Sequence, residues 1–333
     1  MGLRAHVEGV LHPEAYHGPQ PATAGTSGYF EGWYVKLVSA DLGQRFAVIP
    51  GVFLGPDGQG EAFVQLLDGV AGRSWYHRYD LADFEAASDR YEVRVGPNTF
   101  TPQGVHLELP DGTLSGDATF TTPLRPWPVT RTSPGVMGWY AWTPKMECKH
   151  GVVSLDHGLA GSLTHLGEPV DLAGGRGYLE TDWGAAFPVG YVWMQTNHFG
   201  AEGTCLTAST ALIPWVTGTF RGHIVGLLHE GRLWRFTTYT GAETQSLTID
   251  DEHVRWTLRS KRGAVLDLVA ERRGGALLHA PIRTEMHRRV EETLDARVHV
   301  RLTDADGTVV LDDTGECAGL EVHGDLPRLL AGS

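Results

Sequence analysis

The chain has 333 residues, with 27 Lys and Arg against 40 Asp and Glu, a net charge of −13. Hydrophobic residues make up 41% and charged residues only 20%, which is too apolar a mix for a disordered chain and enough for one large domain or two of about 150–170 residues each. The acidic balance, without clustered Lys or Arg, excludes a nucleic-acid partner, because phosphate neutralisation needs basic patches.

The opening Met1-Gly2-Leu3-Arg4-Ala5-His6-Val7-Glu8 lacks the apolar core of a signal peptide, and His6 stands where an acylation motif needs Ser or Thr. No run approaches 18 uncharged apolar residues, so no transmembrane helix is expected. Cys148, Cys205 and Cys317 are odd in number, far apart and in no CxxC pair. That pattern suits ordinary thiols in a reducing cytoplasm, and it argues against a disulfide framework or a cysteine zinc site.

The local pattern is β almost throughout. Gly28-Tyr29-Phe30-Glu31-Gly32-Trp33 opens it; alternation puts Tyr29, Glu31 and Trp33 on one face, with Phe30 and Tyr34 opposite. Aromatics on both faces predict a strand covered on both sides, with Glu31 buried and therefore paired or neutral. Turn signals follow at Pro56-Asp57-Gly58, Pro110-Asp111-Gly112 and Asp306-Gly307, and alternating runs at Tyr91–Val95, Val254–Leu258 and Val298–Leu302. Strands recurring roughly every 8–15 residues fit an antiparallel barrel or sandwich. Helix is expected only at Leu81–Ala87, Glu285–Thr293 and a last turn at Leu326–Leu330.

In Met146–Leu163, His150 and His157 are seven apart. An unbroken strand puts them on opposite faces, so a joint metal site is not expected and both read as structural. Gly174-Gly175-Arg176-Gly177 reads as a turn-forming junction, since no Gly-Lys-Ser/Thr follows. Gly177-Tyr178-Leu179-Glu180-Thr181-Asp182-Trp183 then echoes the opening motif. The echo suggests duplication of one β unit, with halves at 1–170 and 171–333. Here Tyr178, Glu180 and Asp182 share one face. In the following strand Tyr191, Trp193, Gln195, Asn197 and Phe199 share another, a mix of aromatic walls and polar groups that suits a lined cavity.

Absent motifs narrow the chemistry. There is no HExxH or HxH, no Gly-x-Ser-x-Gly elbow and no GxGxxG opening a helix. Metal catalysis, that serine nucleophile and a dinucleotide cofactor are therefore not expected.

Several segments together resemble the tocopherol cyclase-like family: Tyr29–Lys36, Met146–Ser162, Gly177–Gly184 with Phe187-Pro188, Trp193–Phe199 and Cys317–Asp325. The chain more distantly resembles carotenoid hydratases and related proteins built from two lipocalin-like barrels. The resemblance implies an all-β fold of two lipocalin-like antiparallel barrel or sandwich domains packed together, with few short helices. It implies a cytoplasmic enzyme without a cofactor, acting on a hydrophobic small molecule. Transient membrane contact would follow from a lipid-like substrate, although no basic anchor appears.

The implied reaction is the proton-initiated closure of a prenylated quinol, or a related isoprenoid alkene, to a chromanol. An alkene is a weak base, so the acid must be neutral and held close. Glu180 is the expected acid, with Asp182 tuning it by like-charge repulsion and Tyr178 beside it. Trp183 and Trp193 are expected as cation-stabilising walls. Gln195 and Asn197 would orient hydroxyls, with Glu31, Trp33 and Tyr34 contributing from the first half. The alternatives are a lipocalin-like binder without chemistry and an isoprenoid hydratase. A glycosidase is disfavoured, because Glu180 and Asp182, about 7 Å apart on one strand, reach opposite sides of a sugar ring poorly.

Overall fold

The computed structural model describes residues 7, 9–19, 28–55, 59–143, 146–215 and 218–332. The Met1-Gly2 start and the turn expected at 56–58 lie outside these. Almost every element is antiparallel β. The first sheet holds β1 (Tyr29–Val38), β2 (Arg45–Leu54), β3 (Gly60–Asp68), β4 (Arg73–Tyr79), β5 (Phe84–Ala86), β6 (Val93–Val95), β7 (Asn98–Thr101), β8 (Gly104–Glu108), β9 (Ser115–Phe120), β10 (Cys148–His165), β11 (Glu168–Asp171) and β12 (Arg176–Gly184). The second holds β13 (Gly190–Thr196), β14 (Cys205–Trp215), β15 (Gly218–His229), β16 (Arg232–Thr237), β17 (Glu243–Ile249), β18 (His253–Arg259), β19 (Val265–Glu271), β20 (Ala276–Pro281), β21 (Met286–Thr303) and β22 (Val309–Gly324). A short helix, α1 (Leu326–Ala331), follows where a last turn was expected.

The first sheet runs β4-β3-β2-β1-β12-β10-β9-β8-β7-β6-β5, with β11 beside β10. Strands from both ends of that order feed one core: Val48, Val64 and Leu66 meet Phe84, Val95 and Phe100. The sheet therefore curls over on itself, as alternating strands with one apolar face must in order to bury that face. Each of these side chains contributes about 1.5–3 kcal/mol by leaving water. The second sheet runs β16-β15-β14-β13-β22-β21-β19-β18-β17, with β20 beside β21. It curls about its own core, which includes Val192, Met194, Val225, Trp256, Leu268 and Val300.

The chain divides into two compact units, Met1–Phe187 with Leu277–Arg289, and Pro188–Ala276 with Val290–Ser333. The division falls after Phe187 rather than at 170, because β12 hydrogen-bonds between β1 and β10 in the middle of the first sheet. The two echoing motifs are thus neighbouring antiparallel strands of one unit, not equivalent strands of two. The glycine stretch is the turn from β11 to β12 and leads from one strand of this unit to the next, with Gly174 in the left-handed region at φ 74. Two expected helices are also replaced. All of Glu285–Thr293 but its first residue falls in β21, where pairing with β20 and β22 overrides its local periodicity. Leu81–Ala87 is a short 3-10 turn followed by β5.

Candidate active site

Residues directly opposed in an antiparallel pair point to the same face. The register sets Tyr34 of β1 against Glu180 of β12, and Lys36 against Tyr178. On the other side it sets Val152 of β10 against Glu180 and His150 against Asp182. One sheet face therefore gathers Tyr34, Lys36, His150, Tyr178, Glu180 and Asp182. It is the face away from the core, since Trp33, Val35 and Leu179 alternate inward. It is nonetheless shielded: Tyr178 and Lys36 are fully buried, Glu180 is 4% exposed and Tyr34 8%.

Buried charges need partners. The Tyr178 hydroxyl donates to Glu180 Oε2. His150 Nε2 lies 3.5 Å from that same oxygen, and its Nδ1 lies 3.0 Å from Asp182 Oδ1. Burial alone would depress the imidazole, but the Asp182 and Glu180 carboxylates and the Asp182 hydrogen bond outweigh it, raising His150 to about 9. The geometry puts the His150 ring between Glu180 and Asp182, the pair in which Asp182 was expected to tune Glu180. The raised imidazole bridges the two carboxyls, one ring nitrogen toward each.

His150, Glu180 and Asp182 also offer ligand atoms within 4.8 Å of one another, a set able to hold a divalent cation. A cation there would displace the His150 proton, because both ring nitrogens now face carboxylates.

The opposite face of the same strands carries a second constellation. Glu31 is fully buried, as expected, and accepts from the Tyr29 hydroxyl, from the His17 backbone N–H at 2.9 Å and from His17 Nδ1 at 2.8 Å. Its donors come from the protein itself, and they anchor the segment ending at His17. The His17 ring stacks on Trp183 at 4.0 Å. Tyr29, His17 and Trp183 line a cavity of about 300 Å³ together with Lys149, Met137 and Pro13. Trp33 lies in the hydrophobic core, its indole N–H donating to the Glu14 carbonyl at 3.2 Å. Trp183 and Glu180 are on opposite faces, as strand alternation predicts.

In the second unit, Tyr191, Trp193 and Gln195 project from β13 on the side away from Val192 and Met194 of the core. Trp193 is opposed by Ser209 and Glu321, and the Tyr191 hydroxyl donates to Glu321 at 2.6 Å. Gln195 and Asn197 are buried. Glu321 is in turn opposed by Glu292, itself fully buried. Tyr191, Trp193 and Gln195 thus share a face, whereas Phe199, expected beside them, packs against the core.

Sequence reasoning missed His150, Lys36, His17 and Glu292. For His150 the available signal was the doubled Tyr-x-Glu: two residues apart on a strand, each tyrosine reaches its glutamate on one face, which marks both as organised polar centres in want of further partners.

The chain belongs to the tocopherol cyclase-like family: the family's model matches residues 103–324, more than half of the chain. His150, Tyr178, Glu180, Asp182, Trp193, Gln195 and Asn197 lie inside that span, whereas Glu31, Trp33 and Tyr34 precede it. No curated protein matches the chain by sequence. Among solved structures, that of CghA with Sch210972 covers 90% of this chain and 89% of its own, at 13% identity and a TM-score of 0.54. Kievitone hydratase from Nectria haematococca covers 93% and 94%, at 13% identity and a TM-score of 0.51. At such identity the likeness is one of fold.

Proposed function

We propose that this chain is a tocopherol cyclase-like enzyme that closes a prenylated quinol, or a related isoprenoid alkene, to a chromanol by proton transfer from Glu180. Family membership supports an isoprenoid-related enzyme. The observation that carries the finer reading is the buried array Tyr178–Glu180–His150–Asp182, which lies within the matched span.

An alkene needs an acid stronger than imidazolium, so the carboxyl is the group that delivers the proton. His150 carries a proton on the nitrogen facing Glu180 Oε2 and can pass it to the carboxyl, becoming neutral while Asp182 keeps hold of Nδ1. The alkene carbon then takes the proton, a tertiary cation forms, and the phenol oxygen attacks it. The phenol proton returns through Glu180 to His150, which restores the starting state. The Tyr34 and Tyr178 rings flank this carboxyl and can stabilise the cation, by roughly 0.5–2 kcal/mol each.

The test is incubation with a prenylated quinol, followed by mass spectrometry and chromatography. The expected product has the mass of the substrate and a closed ring, and Glu180→Gln forms none while its circular dichroism and melt match the wild type. A product heavier by one water would make the chain a hydratase, and a tightly bound but unchanged quinol would make it a binder. Full turnover by Glu180→Gln would remove Glu180 from the mechanism.

A further inference from the structure

Lys149 and Trp183, directly opposed on β10 and β12, alternate away from His150 and Asp182, and both line the cavity beside His17, which His150 also borders. The cavity's polar groups are nearly all engaged. The Tyr29 hydroxyl is on Glu31, and His17 uses one ring nitrogen on Glu31 and the other on the Gly9 carbonyl at 2.9 Å. Lys149 differs. Its Nζ donates once, to the Ala141 carbonyl at 3.0 Å, and among the described residues no carboxylate lies within ion-pair distance of it. Two of its three donors are left over. The walls beside it are apolar: Val10, Pro13, Met137 and Met146.

We propose that this cavity binds a small amphipathic carboxylate, its anionic head on the Lys149 ammonium and its apolar body against Val10, Pro13, Met137 and Met146. The volume of about 300 Å³ sits at the small end of ligand pockets. His150 is already held by Asp182 and Glu180, so the Lys149 ammonium beside apolar walls selects one anionic group at one end of the ligand. His150 also lines this cavity, so the proposed site is the Lys149 end of it, and Lys149 takes no part in the Glu180 array.

Calorimetry with octanoate, and with octanol as its uncharged counterpart, tests the proposal on the full chain. Octanoate should bind at least about tenfold tighter than octanol, and Lys149→Met, which keeps the length and apolar stem, should remove that preference. Lys149→Arg should retain it, which separates loss of charge from loss of fold. Equal binding of the two ligands, octanoate binding undiminished in Lys149→Met, or no octanoate binding at millimolar concentration to the folded wild type would each overturn it.

Discussion

His150 is held by two carboxylates at once, and that makes its proton a stabilising feature of the first unit. Its pKa is raised from 6.5 to about 9. A histidine raised on folding stabilises in full below the unfolded value, and that contribution is lost as pH rises through the folded one. The first unit should therefore lose a few kcal/mol between about pH 6.5 and 9. Thermal melts across that range should show a falling midpoint in the wild type and a flatter profile in His150→Gln, which starts lower. Parallel profiles would mean that the imidazole is neutral between its carboxylates. The same titration should lower turnover on the alkaline side, because Glu180 then loses the donor that restores its proton. Strand alternation alone made the shared face of Tyr178, Glu180 and Asp182 legible. His150 was not legible, because its position depends on the register of β10 against β12, which no local pattern encodes.

That register is itself a property of elements. β10 carries two bulges against β12, between Val152 and Ser154 and between Ser154 and His157. Each inserts one residue, so two restore the parity, and His150 and His157 end on opposite faces as an unbroken strand would leave them. His157 turns inward against Phe120, its Nδ1 3.0 Å from the Ser154 hydroxyl, and Gly177 opposes it. A Cβ on Gly177 would lie 2.3 Å from His157 Nε2, part of a buried, rigid ring. Gly177→Ala should thus cost about 1–3 kcal/mol by overpacking, against the smaller gain of about 0.4–1 kcal/mol from a stiffer unfolded chain. Urea unfolding measures the balance, and a midpoint at or above wild type would show that the ring gives way freely. The motif echo was misread at this same scale. Similar sequences show that two strands share an environment, and β1 and β12 do, side by side in one sheet. Likeness does not tell whether they pair with each other or head separate domains.

At the scale of the molecule the all-β class and the two cores were legible, since turn spacing and alternation are local and are satisfied everywhere at once. The boundary was not, because it depends on where β12 inserts. Each unit also carries its own buried neutral histidine. In the first, burial holds His157 down to about 3. In the second, burial, aided by Arg221, holds His223 down to about 4, with its ring edge-on to Trp256. The unfolded chain takes up these protons near 6.5 and the folded units only far below, so stability is full above about 6.5 and falls as pH drops toward 4. His157→Gln should flatten the acid limb of the first unit alone, and His223→Gln that of the second alone. Hydrogen exchange resolves the units separately and is the measurement to make. With His150 the first unit is squeezed from both sides of neutrality, while the second loses stability only toward acid. At pH 9 the first unit should accordingly exchange faster relative to its value at pH 7 than the second, after correction for intrinsic rates. Equal alkaline acceleration in both would place the His150 titration outside the forces that hold the first unit together.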